Sequence, residues 1–91
     1  MTKNQLTLLT LLADGYSISA AAREMRITQP HASRMLSGME SHMGIRLVLR
    51  RGQSVTPTEE LHAMAKYARK ALANIRAVHE LAERMKQREE V

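Results

Sequence analysis

A chain of 91 residues can bury one small core and carry one further element, but not two cores. Its 14 Lys+Arg outweigh 9 Asp+Glu for a formal charge of +5, which points to an anionic partner, nucleic acid or a membrane surface. The lack of cysteine excludes disulfides and thiolate metal sites, and no signal peptide or apolar run of membrane-spanning length is present.

The first predicted helix lies in LTLLTLLA (6–13), where Leu6, Leu9 and Ala13, and Leu8 and Leu12, recur at helical spacing until Asp14-Gly15 stops them. Ser17 can cap a short second helix, in which Ile18, Ala21, Ala22 and Met25 fall at i, i+3, i+4 and i+7. Arg26-Ile27 connects it to a third helix capped by Thr28. Pro30 sits in the first turn of that helix, where a missing N–H costs nothing, so it marks a start and not a break. Gly44 ends the third helix. IRLVL (45–49) and SVT (54–56), separated by RRGQ, predict a two-stranded hairpin with Arg50 and Arg51 at a basic tip. Thr56-Pro57-Thr58-Glu59-Glu60 then opens a long helix running to about Arg88, with acids in its first turn where the dipole favours them. The last six residues, KQREEV, are expected to fray. The basic surplus sits early: residues 1–56 carry seven Lys/Arg and three Asp/Glu, residues 57–91 seven and six.

The third helix divides into two faces. At 100° per residue, Ala32, Met35, Leu36, Met39 and Met43 share one arc. Pro30, Ser33, Arg34, Ser37 and Ser41 share the opposite one, with Gln29 and Glu40 at the border. A solvated helix face is normally rich in Glu and Lys, which favour helix formation, whereas this one is mostly Ser, Pro and Arg. Short side chains allow close approach to a groove, Gln29 and Arg34 can offer donors to base edges, and the hydroxyls can reach phosphate or base. Composition alone leaves two readings open, a plain solvated face and a surface for the DNA major groove. The order of elements favours the second: a short helix with small inward residues, a tight turn, a second helix and a basic hairpin make a winged helix-turn-helix. Arg50 and Arg51 would reach flanking phosphates or the minor groove, or else merely solubilise a loop.

The stretch Ser17…Ala21-Ala22…Thr28-Gln29-Pro30…Ser33-Arg34…Leu36…Met39-Glu40…Gly44…Leu47…Arg50…Thr56 closely resembles the DNA-binding domain of LysR-type bacterial transcriptional regulators, over residues 4–85. The resemblance implies a mainly α winged helix-turn-helix, a long linker helix that pairs two subunits, and binding to an interrupted inverted repeat in promoter DNA. By position it carries recognition-helix contacts onto Gln29, Pro30, Ser33 and Arg34, and a wing onto the hairpin around Arg50–Gln53. Thr28, His31 and Ser37 complete the expected DNA-facing set; His31 lies on the flank of the helix, where it can contact phosphate or simply be solvated. There are departures. Leu8 and Val48 stand where the family usually has phenylalanine, and Glu59 where it commonly has glycine; PTEE is closer to the branch serving opine and lysine metabolism. The resemblance also implies an effector-binding domain after the linker helix, which 91 residues do not reach, so no small-molecule control of this polypeptide is expected.

On the long helix, Leu61, Met64, Ala68, Ala71, Ile75, Val78, Ala82 and Met85 alternate by three and four residues, a mean period of 3.5. Such a stripe can pack on the chain's own core, but a small domain cannot cover roughly 45 Å of helix at 1.5 Å per residue. These eight residues are therefore expected to form a homodimer seam. A membrane-surface helix is the competing reading, disfavoured by the mixture of six acids with seven bases. Residues 1–57 are read as the DNA-binding domain, 58–88 as the linker and dimerisation helix, and 89–91 as a frayed tail. The four histidines lack metal-ligand spacing, no nucleotide-binding fingerprint occurs, and neither cofactor nor enzymatic activity is expected. The expected setting is the cytoplasm, at the nucleoid when bound. The rival to DNA binding is a short dimerising module that sequesters a full-length regulator through its long helix.

Overall fold

Thr2 caps the first helix four residues before the leucine pattern begins. Its hydroxyl accepts from the Gln5 N–H at 3.1 Å, and its own N–H donates to Gln5 Oε1 at 2.8 Å, a reciprocal capping box. The computed structural model describes residues 1–52 and 54–89. In chain order these form α1 (Lys3–Ala13), α2 (Ile18–Met25), α3 (Gln29–Met43), β1 (Val48–Arg51), β2 (Ser54–Pro57) and α4 (Glu59–Glu89). This is the mainly α winged helix-turn-helix with a long final helix that the sequence predicts.

Local chemistry sets the boundaries. Ser17 Oγ accepts from the Ala20 N–H at 3.0 Å and Thr28 Oγ1 from the His31 N–H at 3.2 Å, so both expected caps form. Arg26 closes α2 in the left-handed region (φ 59°), a conformation that costs a non-glycine residue free energy and lets the chain turn within three residues. Gly44 closes α3 at φ 71°, where no Cβ penalty arises.

One core holds the elements together. Leu8, Leu9 and Leu12 from α1, Ala21 and Ala22 from α2, and Ala32, Leu36 and Met39 from α3 are buried, as are Leu47 and Val48. Leu8 and Val48, the two positions where the family usually has phenylalanine, are 0% and 1% exposed, so smaller apolar residues fill them. The core continues across the expected domain boundary between residues 57 and 58, because Leu61, Ala65 and Ala68 of α4 are buried in it. α4 packs chiefly along α1, and Arg69 Nη2 meets Asp14 Oδ1 at 2.7 Å. That pair is about half exposed, so it orients the helix more than it stabilises it. α4 runs through Lys86–Glu89; Glu90 and Val91 lie outside the described residues.

The hairpin differs from its prediction. Ile45-Arg46-Leu47 is not strand; β1 starts at Val48 and pairs antiparallel with β2 in the register Val48↔Pro57, Leu49↔Thr56, Arg50↔Val55, Arg51↔Ser54. Two side chains decide where the ladder begins. Glu40 Oε2 accepts from the Leu47 N–H at 2.8 Å and the Val48 N–H at 3.4 Å, fastening the strand to α3. Thr58 Oγ1 donates to the Arg46 carbonyl at 2.8 Å and accepts from the Leu61 N–H at 3.1 Å, capping α4 on the same loop. Both contacts use up loop N–H and C=O groups that a longer ladder would have needed.

Candidate nucleic-acid interface

The third helix presents its two faces as its periodicity requires. Ala32 and Leu36 are 0% exposed and Met39 4%, while Met35 and Met43 are partly buried. On the other side Gln29, Pro30, His31, Arg34 and Ser37 are exposed and Ser33 is half-buried. Thr28 belongs to this edge, but its hydroxyl is engaged by the His31 N–H. Glu40 does not join the exposed face. Its carboxylate is turned back onto the Leu47 and Val48 amides, which removes a negative charge from the side a polyanion would approach.

Arg51 ends β1 opposite Ser54, beside the turn, and Arg50 lies one residue further into the ladder. Both lie in β1, and adjacent strand residues point to opposite faces. Arg50 shares the side of Val48 and lines a cleft of about 620 Å³ between the α2–α3 unit and the wing. Ser17, Ser19, Gln29, Ser33 and Ser54 line it too, a set of hydroxyls and an amide with one guanidinium and no acid. Arg51 is exposed on the opposite face, with its carbonyl accepting from Ser54 Oγ at 2.9 Å. Gly52 turns the chain at φ 61°; Gln53, the remaining wing residue of the expected set, lies outside the described residues. Ser17, Ser19 and Ser54 lie outside the set expected from the sequence, because nothing in linear spacing brings α2 against the wing.

The seam expected on α4 splits in two. Leu61 and Ala68 are 0% and 3% exposed against the chain's own core, so they are not available to a partner. Ala65, absent from the expected stripe, is buried beside them. Met64, Ala71 and Ile75 are half-covered; Ile75 reaches a groove that Lys3 and Thr7 of α1 also line, so the chain's own body extends further along α4 than the sequence suggests. Beyond it the helix is bare: Val78 is 67% exposed, Leu81 45% and Met85 51%, with Ala82 exposed between them. Leu81 lay outside the expected stripe. Near the other end, Leu6, Met64, Tyr67 and Ala71 line an apolar groove between α1 and α4.

Among the described residues no helix is long and apolar enough to cross a membrane, and no three His, Asp or Glu side chains gather where a metal could be held. The family model described as bacterial regulatory helix-turn-helix protein, lysR family, matches residues 4–60. The chain belongs to this lysR family. Two relatives extend the match past the wing. The transcriptional regulator GbpR of Rhizobium radiobacter is 38% identical over 85 residues, 91% of this chain and 28% of GbpR. The regulator BenM of Acinetobacter baylyi is 32% identical over 75 residues, 82% of this chain and 25% of BenM. The lysR-family chain described here thus spans about a quarter of the length of these curated relatives. Among solved structures, the BenM DNA-binding domain in complex with benA site 1 DNA superposes with a TM-score of 0.83 at 29% identity, covering 94% of this chain and 97% of that one. The CbnR DNA-binding domain in complex with DNA gives 0.69 at 27%, covering 97% and 93%.

Proposed function

We propose that this lysR-family chain binds promoter duplex DNA sequence-specifically as a homodimer, on an interrupted inverted repeat, to regulate bacterial transcription. The observation that carries this reading is the convergence of Gln29, Ser33 and Arg50 on one acid-free cleft beside the exposed face of α3. A helix inserted in the major groove would bring Gln29, Ser33 and Arg34 to base edges and leave Arg50 of the wing on the adjoining backbone. His31, Ser37 and Arg51 would meet phosphates around that contact. That BenM and CbnR domains of matching shape are seen in complex with DNA supports the same assignment. Pairing through the bare half of α4 would join two such readers and match the two halves of an inverted repeat.

Gel shifts on fragments selected from random duplex DNA test it. The selected site should bind with an affinity that falls linearly in log K against log salt. Gln29→Ala should cost about 1–3 kcal/mol on that site and little on random duplex. Absence of salt-dependent duplex binding would sink the proposal and leave the rival reading, sequestration of a full-length relative through α4, to be sought as a mixed dimer.

A further inference from the structure

The side of α4 that its own chain leaves open carries a second stripe. Leu61, Ala65 and Ala68 turn into the core. Beside that row run Met64, Tyr67 and Ala71, then Asn74, then Val78, Leu81 and Met85, alternating by three and four residues throughout. Met64 and Ala71 are half-covered and the rest are exposed. Asn74 is the middle member and the one with no apolar body. The two arms differ in relief. Met64, Tyr67 and Ala71 border an apolar groove of about 290 Å³ against α1, whereas Val78, Leu81 and Met85 stand clear of the chain's own core.

We infer that Asn74 pins the register of the homodimer: two copies pair antiparallel about a two-fold axis at Asn74, amide to amide, and the ridge of each α4 seats in the groove of the other. The inference rests on the homodimer of the reading above and names how its two copies meet. A primary amide carries both a donor and an acceptor, so two of them across a two-fold axis satisfy each other in both directions. A slip by one heptad would bury that amide against Leu81 or Tyr67 without a partner, which is costly. A lone Asn in an apolar seam fixes register for this reason, at some loss of stability relative to an apolar residue. Direction follows from the relief. Antiparallel copies set Val78 opposite Ala71, Leu81 opposite Tyr67 and Met85 opposite Met64, ridge into groove. Parallel copies would set ridge against ridge and leave both grooves empty. The antiparallel pair also holds the two Glu59 ends of α4 roughly 45 Å apart, at 1.5 Å per residue, so the register of the seam sets the separation of the two DNA readers.

Single cysteines test this, because the chain has none of its own. Asn74→Cys, Met64→Cys, Met85→Cys, Val78→Cys and Ala73→Cys, the last exposed on another side of α4, are treated with oxidised glutathione at a concentration where sedimentation shows a dimer. A disulfide requires Cα atoms within about 7 Å, so it reports which residues meet. Asn74→Cys should link to itself in most of the dimer. Met64→Cys and Met85→Cys should each fail to link alone, and should link to one another when mixed. Ala73→Cys gives the level of chance collision. Met85→Cys linking to itself above that level, or Asn74→Cys failing to exceed it, overturns the inference. Asn74→Leu separates the pin from the pairing. Its dimer should dissociate on the order of tenfold less readily, because the seam becomes wholly apolar. Val78→Cys should not link to itself beside Asn74, since its two copies lie about 11 Å apart along the axis. It should do so in Asn74→Leu, where a slip by one heptad brings the axis to Val78. An Asn74→Leu dimer that is no tighter and keeps the wild-type pattern overturns the role of Asn74. A wild-type chain that stays monomeric at every concentration is a separate result, and removes the homodimer reading together with the inference.

Discussion

Helices α3 and α4 are both amphipathic, yet only one is finished within the monomer. The apolar arc of α3 is closed over from Ala32 to Met39, and what remains fully exposed is mostly polar. The apolar stripe of α4 is closed over only as far as Ala68, and Val78, Leu81 and Met85 stay open. The difference lies in what each helix meets. α3 has 15 residues and packs against α2 and α1. α4 has 31 and meets α1, which has 11, so it outruns its support. A completed helix can offer its outer face to a ligand; an uncompleted one offers its inner face to a partner chain.

The largest effect should come from opening the finished helix. Leu36→Ala removes a side chain that is 0% exposed at the centre of the core, and should lower unfolding free energy by about 2–5 kcal/mol in urea denaturation. A loss below 1 kcal/mol would mean that α3 is less closed than described. On α4, Val78→Asp with Leu81→Asp changes exposed side chains outside the chain's own core. Thermal stability measured on a monomer should be unaltered, whereas sedimentation should show loss of the dimer. Affinity for a two-half-site DNA should then fall on the order of 100-fold with half-site affinity retained, since the second contact is no longer tethered. A variant that stays dimeric would return the seam to the half-covered residues Met64, Ala71 and Ile75.

Smaller effects probe how the wing is joined to the finished helix. Glu40→Ala leaves the Leu47 and Val48 amides without their acceptor and should cost about 1–3 kcal/mol, most of which Glu40→Gln, with its carbonyl oxygen, should restore. Equal losses in the two variants would show that charge and not hydrogen bonding fastens the wing. The smallest change should be in salt dependence. Arg50→Ala should flatten the log–log slope for DNA binding by roughly 1 per subunit, and Arg51→Ala by less, because only Arg50 lines the cleft with Gln29. Matching slopes for the two would put both arginines on the backbone equally.

The contrast between α3 and α4 also marks how far the residues could be read in advance. The caps at Ser17 and Thr28, the stop at Gly44 and the two faces of α3 were legible because each rests on neighbours within one or two helical turns. The split of the two arginines was not. Where β1 begins depends on Glu40 and Thr58, seven or more positions away, and the register that pairs Arg50 with Val55 and Arg51 with Ser54 carries both arginines into the ladder.

By itself the sequence determined the element order, the family and the chemical character of each face, since period, cap and turn residues act locally and do not await folding. The tertiary structure decided the rest. It turned Glu40 inward, brought Ser19 onto Gln29, and assigned Leu61 and Ala68 to the core while leaving Val78 and Met85 bare. Each outcome depends on where one helix crosses another, and a linear pattern records which residues share a face without recording how far a neighbouring element extends to cover it.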